Sequence, residues 1–97
     1  MNGFTEENIY SDEPHVSMRC EENDFPLEKV KKILLDPNSK LIRIVEDRPK
    51  VYKLYYFLSK KRELKVVIDL DSHKLTVRTV KVLSSQFRIK ALPRRRF

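Results

Sequence analysis

Glycine is almost absent from this chain. Gly3 is the single glycine among 97 residues, and it stands close to the first residue. Walker-type phosphate loops, the glycine fingerprint of dinucleotide-binding folds and the nucleophile elbow of hydrolases each need several glycines at fixed offsets. The sequence therefore excludes these three classes of site.

Cysteine and long apolar runs are equally scarce. Cys20 is the one cysteine, so no internal disulfide can form and no second thiol is present to build a zinc knuckle. The longest unbroken apolar run covers residues 54–58, which is far too short to span a membrane. The sequence shows no signal-peptide pattern. We therefore expect a cytoplasmic protein without a membrane partner, a metal or a cofactor.

The charges are unevenly divided along the chain. The formal net charge is +7, from 21 basic and 14 acidic residues. Residues 1–28 contain eight acids and one base, a charge of −7, whereas residues 29–97 contain six acids and twenty bases, a charge of +14. The larger part of the chain is thus strongly basic, which favours an anionic partner such as nucleic acid.

Two short helices are predicted in the first part of the chain. Ser11 or Asp12 followed by Pro14 is typical of a helix start, and we expect this helix to run to about Asn23. A second helix of about ten residues is expected after Pro26, because apolar residues recur there at positions i, i+3 and i+7.

Four strands are predicted in the rest of the chain. Segments rich in Val, Ile, Leu and Tyr are separated by turn signals, at residues 41–46, 51–59, 64–71 and 74–82. Connections this short join antiparallel neighbours, so we expect a four-stranded antiparallel meander with both helices on one face. The predicted fold class is α+β. A single domain covers residues 11–83, between a flexible tail or edge strand at 1–10 and a basic tail at 84–97.

The turns set a register for these strands. A two-residue turn at residues 72–73 places Ile68 opposite Val77, and a three-residue loop in the preceding turn places Tyr55 opposite Val67. The face turned away from the helices then gathers cations and aromatic rings, namely Arg43, Lys53, Tyr55, Phe57, Lys65 and Arg78. Whether Arg43 lies on this face depends on the length of the loop between the first two predicted strands.

The last strand contains an irregularity. Leu75 and Val77 share one parity, whereas Val80 and Val82 have the other. Either the strand contains a β-bulge near Thr79, or both of its faces are covered there. Bulges are frequent beside functional sites, where they redirect a side chain.

The mixture of cations and rings on the open face suits single-stranded nucleic acid. Phosphates pair with Lys and Arg, whereas bases stack on Tyr and Phe. The alternative is a solvated outer face whose charges only keep the sheet soluble and block edge pairing. Because this face also carries apolar side chains, we expect it to bind a partner, with Lys81 adding positive charge.

Five short motifs follow one another between residues 14 and 82. They are His-Val-Ser-Met-Arg at 15–19, Asn-Asp-Phe-Pro-Leu-Glu-Lys-Val at 23–30, Leu-Leu-Asp-Pro at 34–37, Leu-Lys-Val-Val at 64–67 and Val-Arg-Thr-Val at 77–80. Together with the order of elements, they resemble the RelE/ParE-like toxin superfamily, and more closely an uncharacterised branch of small proteins near the BrnT toxins. Asn23 and Asp24 stand where that branch has Arg and Gly.

The resemblance implies a function and a set of partners. Well-studied members are metal-independent endoribonucleases that cut messenger RNA, often on the ribosome, and a small antitoxin neutralises them; other members poison gyrase. Such cleavage uses the 2′-hydroxyl of the substrate as nucleophile, so the protein supplies proton transfer and cations. Carried over to this chain, the resemblance implies that Arg78 and Lys53 hold the scissile phosphate. Tyr55 would stack a base, and Lys65 would add charge.

Other polar residues have less certain roles. His15 and Arg19 lie one helical turn apart and form a candidate polar site, although helix capping by His15 is the plainer interpretation. His73 is expected in a turn, so neither histidine is an evident general base. The basic tail ends in three arginines that form either a mobile tail or an anchor for RNA or the ribosome, namely Arg94, Arg95 and Arg96.

Three functions therefore stay open from the sequence. The first is a toxin-like RNA-binding protein that acts as an endoribonuclease in a toxin–antitoxin system. The second is a non-catalytic module that binds nucleic acid or a protein through the open sheet face. The third is a structural subunit that buries this face in an oligomer. RNA cleavage separates the first from the second, and salt-dependent RNA binding distinguishes an RNA-binding function from the third.

Overall fold

A computed structural model describes residues 5–71 and 73–84 of the chain. A short 3-10 turn, Glu6–Asn8, leads into strand β1 (Ile9–Ser11). Two helices and four longer strands follow, namely α1 (His15–Glu22), α2 (Leu27–Leu35), β2 (Leu41–Arg48), β3 (Val51–Ser59), β4 (Arg62–Leu70) and β5 (Leu75–Ser84). The α+β class and the two helices are confirmed.

The five strands form one mixed sheet in the order β1-β5-β4-β3-β2. Strands β2 to β5 form an antiparallel meander, whereas β1 pairs in parallel with β5 through Ile9 and Leu75. The prediction of a sheet with four antiparallel strands only is therefore not confirmed, because β1 adds a fifth, parallel strand. This strand begins in the segment that the sequence left open as a flexible tail or an edge strand, and its three residues are too few for an alternation that would decide between the two.

Helix α1 begins one turn after the predicted cap, because Glu13 satisfies its first turn. The Oε1 atom of Glu13 accepts a hydrogen bond of 3.2 Å from the backbone N–H of Ser17, and Ser11 Oγ donates to Oε2 at 2.6 Å. These hydrogen bonds, that from Ser11 foremost, lower the pKa of the Glu13 carboxyl. The capping function expected of His15 thus falls to Glu13.

Asn23 ends α1 and closes part of the outer edge of β5. Its backbone N–H donates to the carbonyl oxygen of Arg19 at 3.0 Å. Its side-chain amide accepts a hydrogen bond from Val82 N at 2.9 Å and donates to the Val80 carbonyl oxygen at 3.3 Å. Because β1 covers only residues 75–77 of this edge, Asn23 protects the next stretch from pairing with another chain.

The core lies between the helices and one face of the sheet. Its largest fully buried side chains are aliphatic, namely Val16, Val30, Leu34, Leu54, Leu64, Val66, Ile68, Leu75, Val77 and Val80. Cys20 packs in the same cluster, and burial raises the pKa of its thiol. Cys20 therefore serves as a small apolar side chain of the core.

The register between β4 and β5 contains the predicted bulge. Ile68 lies opposite Val77, as predicted, but Val67 lies opposite Thr79. Arg78 is the extra residue between the two pairs. The bulge is therefore confirmed, and it allows the apolar residues on both sides of it to point into the core.

The hairpin between β3 and β4 is tighter than predicted. Ser59 pairs with Arg62, which leaves two residues in the turn instead of three, and Tyr55 lies opposite Lys65 rather than Val67. A shift of two positions keeps every side chain on its predicted face. The predicted composition of the open face therefore holds in β3 and β4, although the cross-strand partners differ.

Candidate nucleic-acid interface

Four of the predicted binding residues form one row across the sheet. Arg43 lies opposite Tyr55, Tyr55 lies opposite Lys65, and Lys65 lies opposite Lys81. Directly opposed residues point to the same face, so four side chains from four strands stand side by side over roughly 14 Å. We name this set, Arg43, Tyr55, Lys65 and Lys81, the basic row.

The basic row lies on the face that the helices leave open. Lys65 stands between Leu64 and Val66 along β4, and both of these neighbours are fully buried in the core. Successive side chains of a strand point to opposite faces, so Lys65 and the rest of the row point away from the helices. Lys53 and Phe57 have the parity of Tyr55 in β3 and share this open face.

One end of the row is a stacked pair. The guanidinium carbon of Arg43 lies 4.0 Å from the centre of the Tyr55 ring, and Nη2 lies 3.8 Å from Glu63 Oε1. This cation–π contact places the guanidinium over one side of the ring. Tyr55, the residue predicted to stack a base, is therefore covered on that side by Arg43.

The other end of the row is a cluster of lysines centred on Lys65. Burial lowers the pKa of the Lys65 ammonium, and the charges of Lys53 and Lys81 lower it further, whereas Asp47 opposes them. Lys53 has a carboxylate partner, since its Nζ lies 3.9 Å from Asp47 Oδ1. Within residues 5–71 and 73–84, neither Lys65 nor Lys81 forms an ion pair. Like charges directly opposite each other destabilise a sheet, so an anion bound here would relieve a repulsion.

A cleft opens beside these two lysines, where the last turn of α1 meets the outer edge of β5. It has a volume of about 410 Å³ and is lined by Arg19, Glu22, Asn23, Lys65, Thr79, Val80 and Lys81. This volume is in the range of ligand sites in proteins. Arg19 contributes a third cation, although its Nη1 is paired with Glu22 Oε1 at 3.1 Å. Of the predicted polar pair, Arg19 lines the cleft and His15 does not.

Arg78 is held by two carboxylates. Its Nη1 lies 3.1 Å from Asp69 Oδ2, and its Nε lies 3.6 Å from Asp12 Oδ2. The bulge thus places Arg78 between β4 and the segment that leads into α1, where the two acids offset its charge. The assignment of Arg78 and Lys53 to a scissile phosphate stays a prediction. Their Cα atoms are separated by about two strand spacings, roughly 10 Å.

The remaining predicted residues that the structure describes belong neither to the basic row nor to the lining of the cleft. Phe57 is 40% exposed, and Lys40 Nζ lies 5.6 Å from the centre of its ring. His15 and His73 are both exposed and neither lines the cleft. The three arginines of the predicted tail, Arg94, Arg95 and Arg96, lie outside the described residues.

In the described part of the chain, no group of three or more His, Cys, Asp or Glu side chains could hold a metal ion. Neither α1 nor α2 is long and apolar enough to cross a membrane.

Sequence reasoning missed several residues around the basic row. Thr79 and Asn23 line the cleft, and Asp12 and Asp69 hold Arg78. The parity of Thr79 relative to the predicted bulge is a signal that could have identified it, whereas the others depend on tertiary packing.

Comparison with known proteins adds no relative, because the chain matches no protein-family model, no curated protein and no solved structure.

Proposed function

We propose that this protein binds single-stranded RNA on its open sheet face, with the basic row as the main contact. The observation that carries the proposal is the pair formed by Lys65 and Lys81, which lie directly opposite each other. Neither ammonium has a carboxylate partner among the residues that the structure describes. A phosphate bound between them would replace their repulsion with two charge-assisted hydrogen bonds.

The other end of the row supports a single strand in preference to a duplex. Arg43 lies over the ring of Tyr55, and both guanidinium planes and aromatic rings stack on unpaired bases. A duplex hides its bases from such a platform, whereas a single strand turns them outward. The row therefore offers a phosphate contact and a base contact roughly 14 Å apart on one surface.

RNA cleavage within a toxin–antitoxin system is a finer proposal, and its support is the resemblance to the RelE/ParE-like toxins. Asp24 has a φ of 52°, in the left-handed region that favours glycine, and this is the position where the resembling branch has Gly. The backbone at this turn is therefore compatible with the resemblance. Catalysis also needs proton transfer, and both histidines lie away from the cleft lining. The geometry thus supports non-catalytic binding best.

The proposal is tested by the salt dependence of RNA binding. Each neutralised phosphate of a single strand contributes about −0.7 to the slope of log K against log salt concentration. We expect Lys65→Ala to weaken binding of a labelled single-stranded RNA and to reduce the magnitude of the slope by about 0.7, as measured by fluorescence anisotropy. Lys32→Ala removes the same charge from the exposed surface of α2 and should leave the slope unchanged.

Two outcomes of this experiment discriminate between functions. A folded wild-type protein that fails to bind RNA, or binds it independently of salt, contradicts the proposal. The same samples are also examined on a denaturing gel. Intact RNA indicates a non-catalytic module, whereas fragments that depend on the 2′-hydroxyl indicate the endoribonuclease.

Lys65 also gives binding a pH dependence. Its pKa lies below the ordinary lysine value of 10.5, because of burial and the nearby charges of Lys53 and Lys81. Since a phosphate binds the charged form, the affinity should fall as the pH rises through this lowered pKa. Lys65→Arg keeps its charge throughout this range, so its affinity should fall less. A 2′-O-methyl oligoadenylate, which resists alkaline cleavage, is the ligand for this titration; identical pH profiles for both proteins would exclude Lys65 from the contact.

A further inference from the structure

Strand β2 presents an unpaired edge at one end of the sheet. It is eight residues long, and β3 is its one neighbour among the described strands. All eight residues are exposed, and its large apolar side chains have between 42% and 55% of their surface exposed, namely Leu41, Ile42, Ile44 and Val45. The free N–H and C=O groups of such a strand are available for pairing with another chain.

The opposite edge of the sheet is treated differently. The outer edge of β5 is covered by β1 at residues 75–77, and Asn23 hydrogen-bonds to the next part of the same edge. The fold therefore closes the β5 edge with backbone and side-chain groups, whereas, among the described residues, the β2 edge is interrupted only by register shifts between Leu41 and Arg43 and between Glu46 and Arg48. Strand β2 is therefore the edge that is available for pairing with another chain.

We propose that two copies of this chain pair through β2, antiparallel, around a two-fold axis beside Val45. A two-fold axis perpendicular to the sheet pairs the two copies of β2 antiparallel and keeps each side chain on its own face of the sheet. Residues that lie opposite each other must therefore point to the same face, which is possible only when the axis passes beside a residue and not between two residues. An axis beside Arg43, Glu46 or Asp47 would oppose two identical charges, which destabilises a sheet. Ile44 and Val45 are therefore the central positions that avoid this cost.

Charge complementarity selects Val45 over Ile44. With Val45 opposite its own copy and regular pairing along the outer edge, each Arg43 lies opposite Asp47 of the second copy, the residue at which the register with β3 shifts. Both side chains point to the open face, since the Asp47 carboxylate lies 3.9 Å from Lys53 Nζ. An axis beside Ile44 would instead place Arg43 opposite Val45 and would form no charge pair.

The ion pairs that Arg43 and Asp47 form within one copy are long, so they compete weakly with a pair across the interface. Arg43 and Asp47 contact their own neighbours at distances of 3.8 Å and 3.9 Å, which are long for charge-assisted hydrogen bonds. The Asp47 carboxylate can therefore turn toward a second copy without losing a short contact, whereas the Arg43 guanidinium also lies 4.0 Å from the centre of the Tyr55 ring. The dimer would cover the exposed side chain of Val45 and would form two opposite-charge pairs across the interface.

The symmetry has a structural consequence. A two-fold axis perpendicular to the sheet leaves the helices of both copies on one side and both open faces on the other. Ten strands at the usual spacing extend over roughly 43 Å. Arg43 belongs both to the basic row and to this interface, whereas the tests of the dimer use no RNA.

Cysteine crosslinking tests the register. Val45→Cys places two thiols opposite each other across the axis, at a separation that permits a disulfide, so mild oxidation should convert most of the chain into a covalent dimer. Tyr10→Cys adds a thiol of similar exposure to β1 and should stay monomeric. The native Cys20 does not interfere, because it is buried. Crosslinking through Ile44→Cys but not through Val45→Cys overturns the proposed register.

Sedimentation velocity tests the dimer without oxidation. The wild-type chain should sediment as a dimer at micromolar concentrations, and Val45→Lys should shift it to a monomer because two ammonium groups then oppose each other on the axis. Met18→Lys adds the same charge at an exposed site on α1 and should leave the dimer intact. A wild-type protein that stays monomeric up to about 100 μM overturns the proposal.

Discussion

Lys65→Glu is expected to weaken the binding of single-stranded RNA by about 100-fold. The substitution replaces one attraction to phosphate with one repulsion at the centre of the basic row. Each of these interactions contributes about 1 to 2 kcal/mol at a partly screened site, and each 1.4 kcal/mol corresponds to a factor of ten in affinity. Fluorescence anisotropy at low salt measures the change directly.

The same substitution should leave the fold intact. The introduced carboxylate lies opposite Lys81, and opposite charges that face each other stabilise a sheet by up to about 1 kcal/mol. The free energy of unfolding in urea should therefore stay the same or rise, while binding is lost. Lys32→Glu makes an equal change of charge on α2 and should have a much smaller effect on affinity. If Lys65→Glu is folded and binds RNA as tightly as the wild type, Lys65 does not contact the phosphate.

Such a separation of stability from binding would be characteristic of a functional position. A sheet selected for stability alone would place opposite charges across β4 and β5, whereas this one opposes Lys65 and Lys81. Departures from the local rules of pairing are expected where function requires them. Lys65 and Lys81 form no ion pair among the described residues, and this supports the proposed binding role more directly than the net charge of the chain does.

The open face was predictable because it depends on local information. Alternation along β3 and β4 assigns Tyr55 and Lys65 to one face regardless of the exact register, since a shift of two positions leaves the parity unchanged. The pairing of Tyr55 with Lys65 was not predictable in the same way. It depends on whether the turn after Ser59 contains two residues or three.

The cleft was not predictable from the sequence. Arg19 and Asn23 belong to α1, and Lys81 belongs to β5, so their proximity depends on how the helix packs on the sheet. The same holds for Asp12, which reaches Arg78 only because β1 pairs with the distant strand β5. Patterns within a segment predict faces, whereas contacts between segments far apart in the chain require the fold.

Leu34→Ala is expected to lower the free energy of unfolding by about 2 to 5 kcal/mol. Leu34 belongs to the helix layer, on the side of the sheet opposite to the basic row. Helix α2 has nine residues, and Val30 and Leu34 are its fully buried members. A helix this short is not stable by itself in water, so its folding depends on these two side chains. The loss is a large part of the total of about 5 to 15 kcal/mol that is usual for a domain of this size.

Leu35→Ala is the matched control for this prediction. It makes the same chemical change one residue further along α2, where the side chain is only partly buried, so its effect on urea unfolding should be clearly smaller. Equal losses for the two variants would show that α2 is not held by Leu34. Because Leu34 packs on the face of the sheet opposite to the basic row, the folded fraction of Leu34→Ala should bind RNA with wild-type affinity. The helix layer would then supply stability while the open face supplies binding.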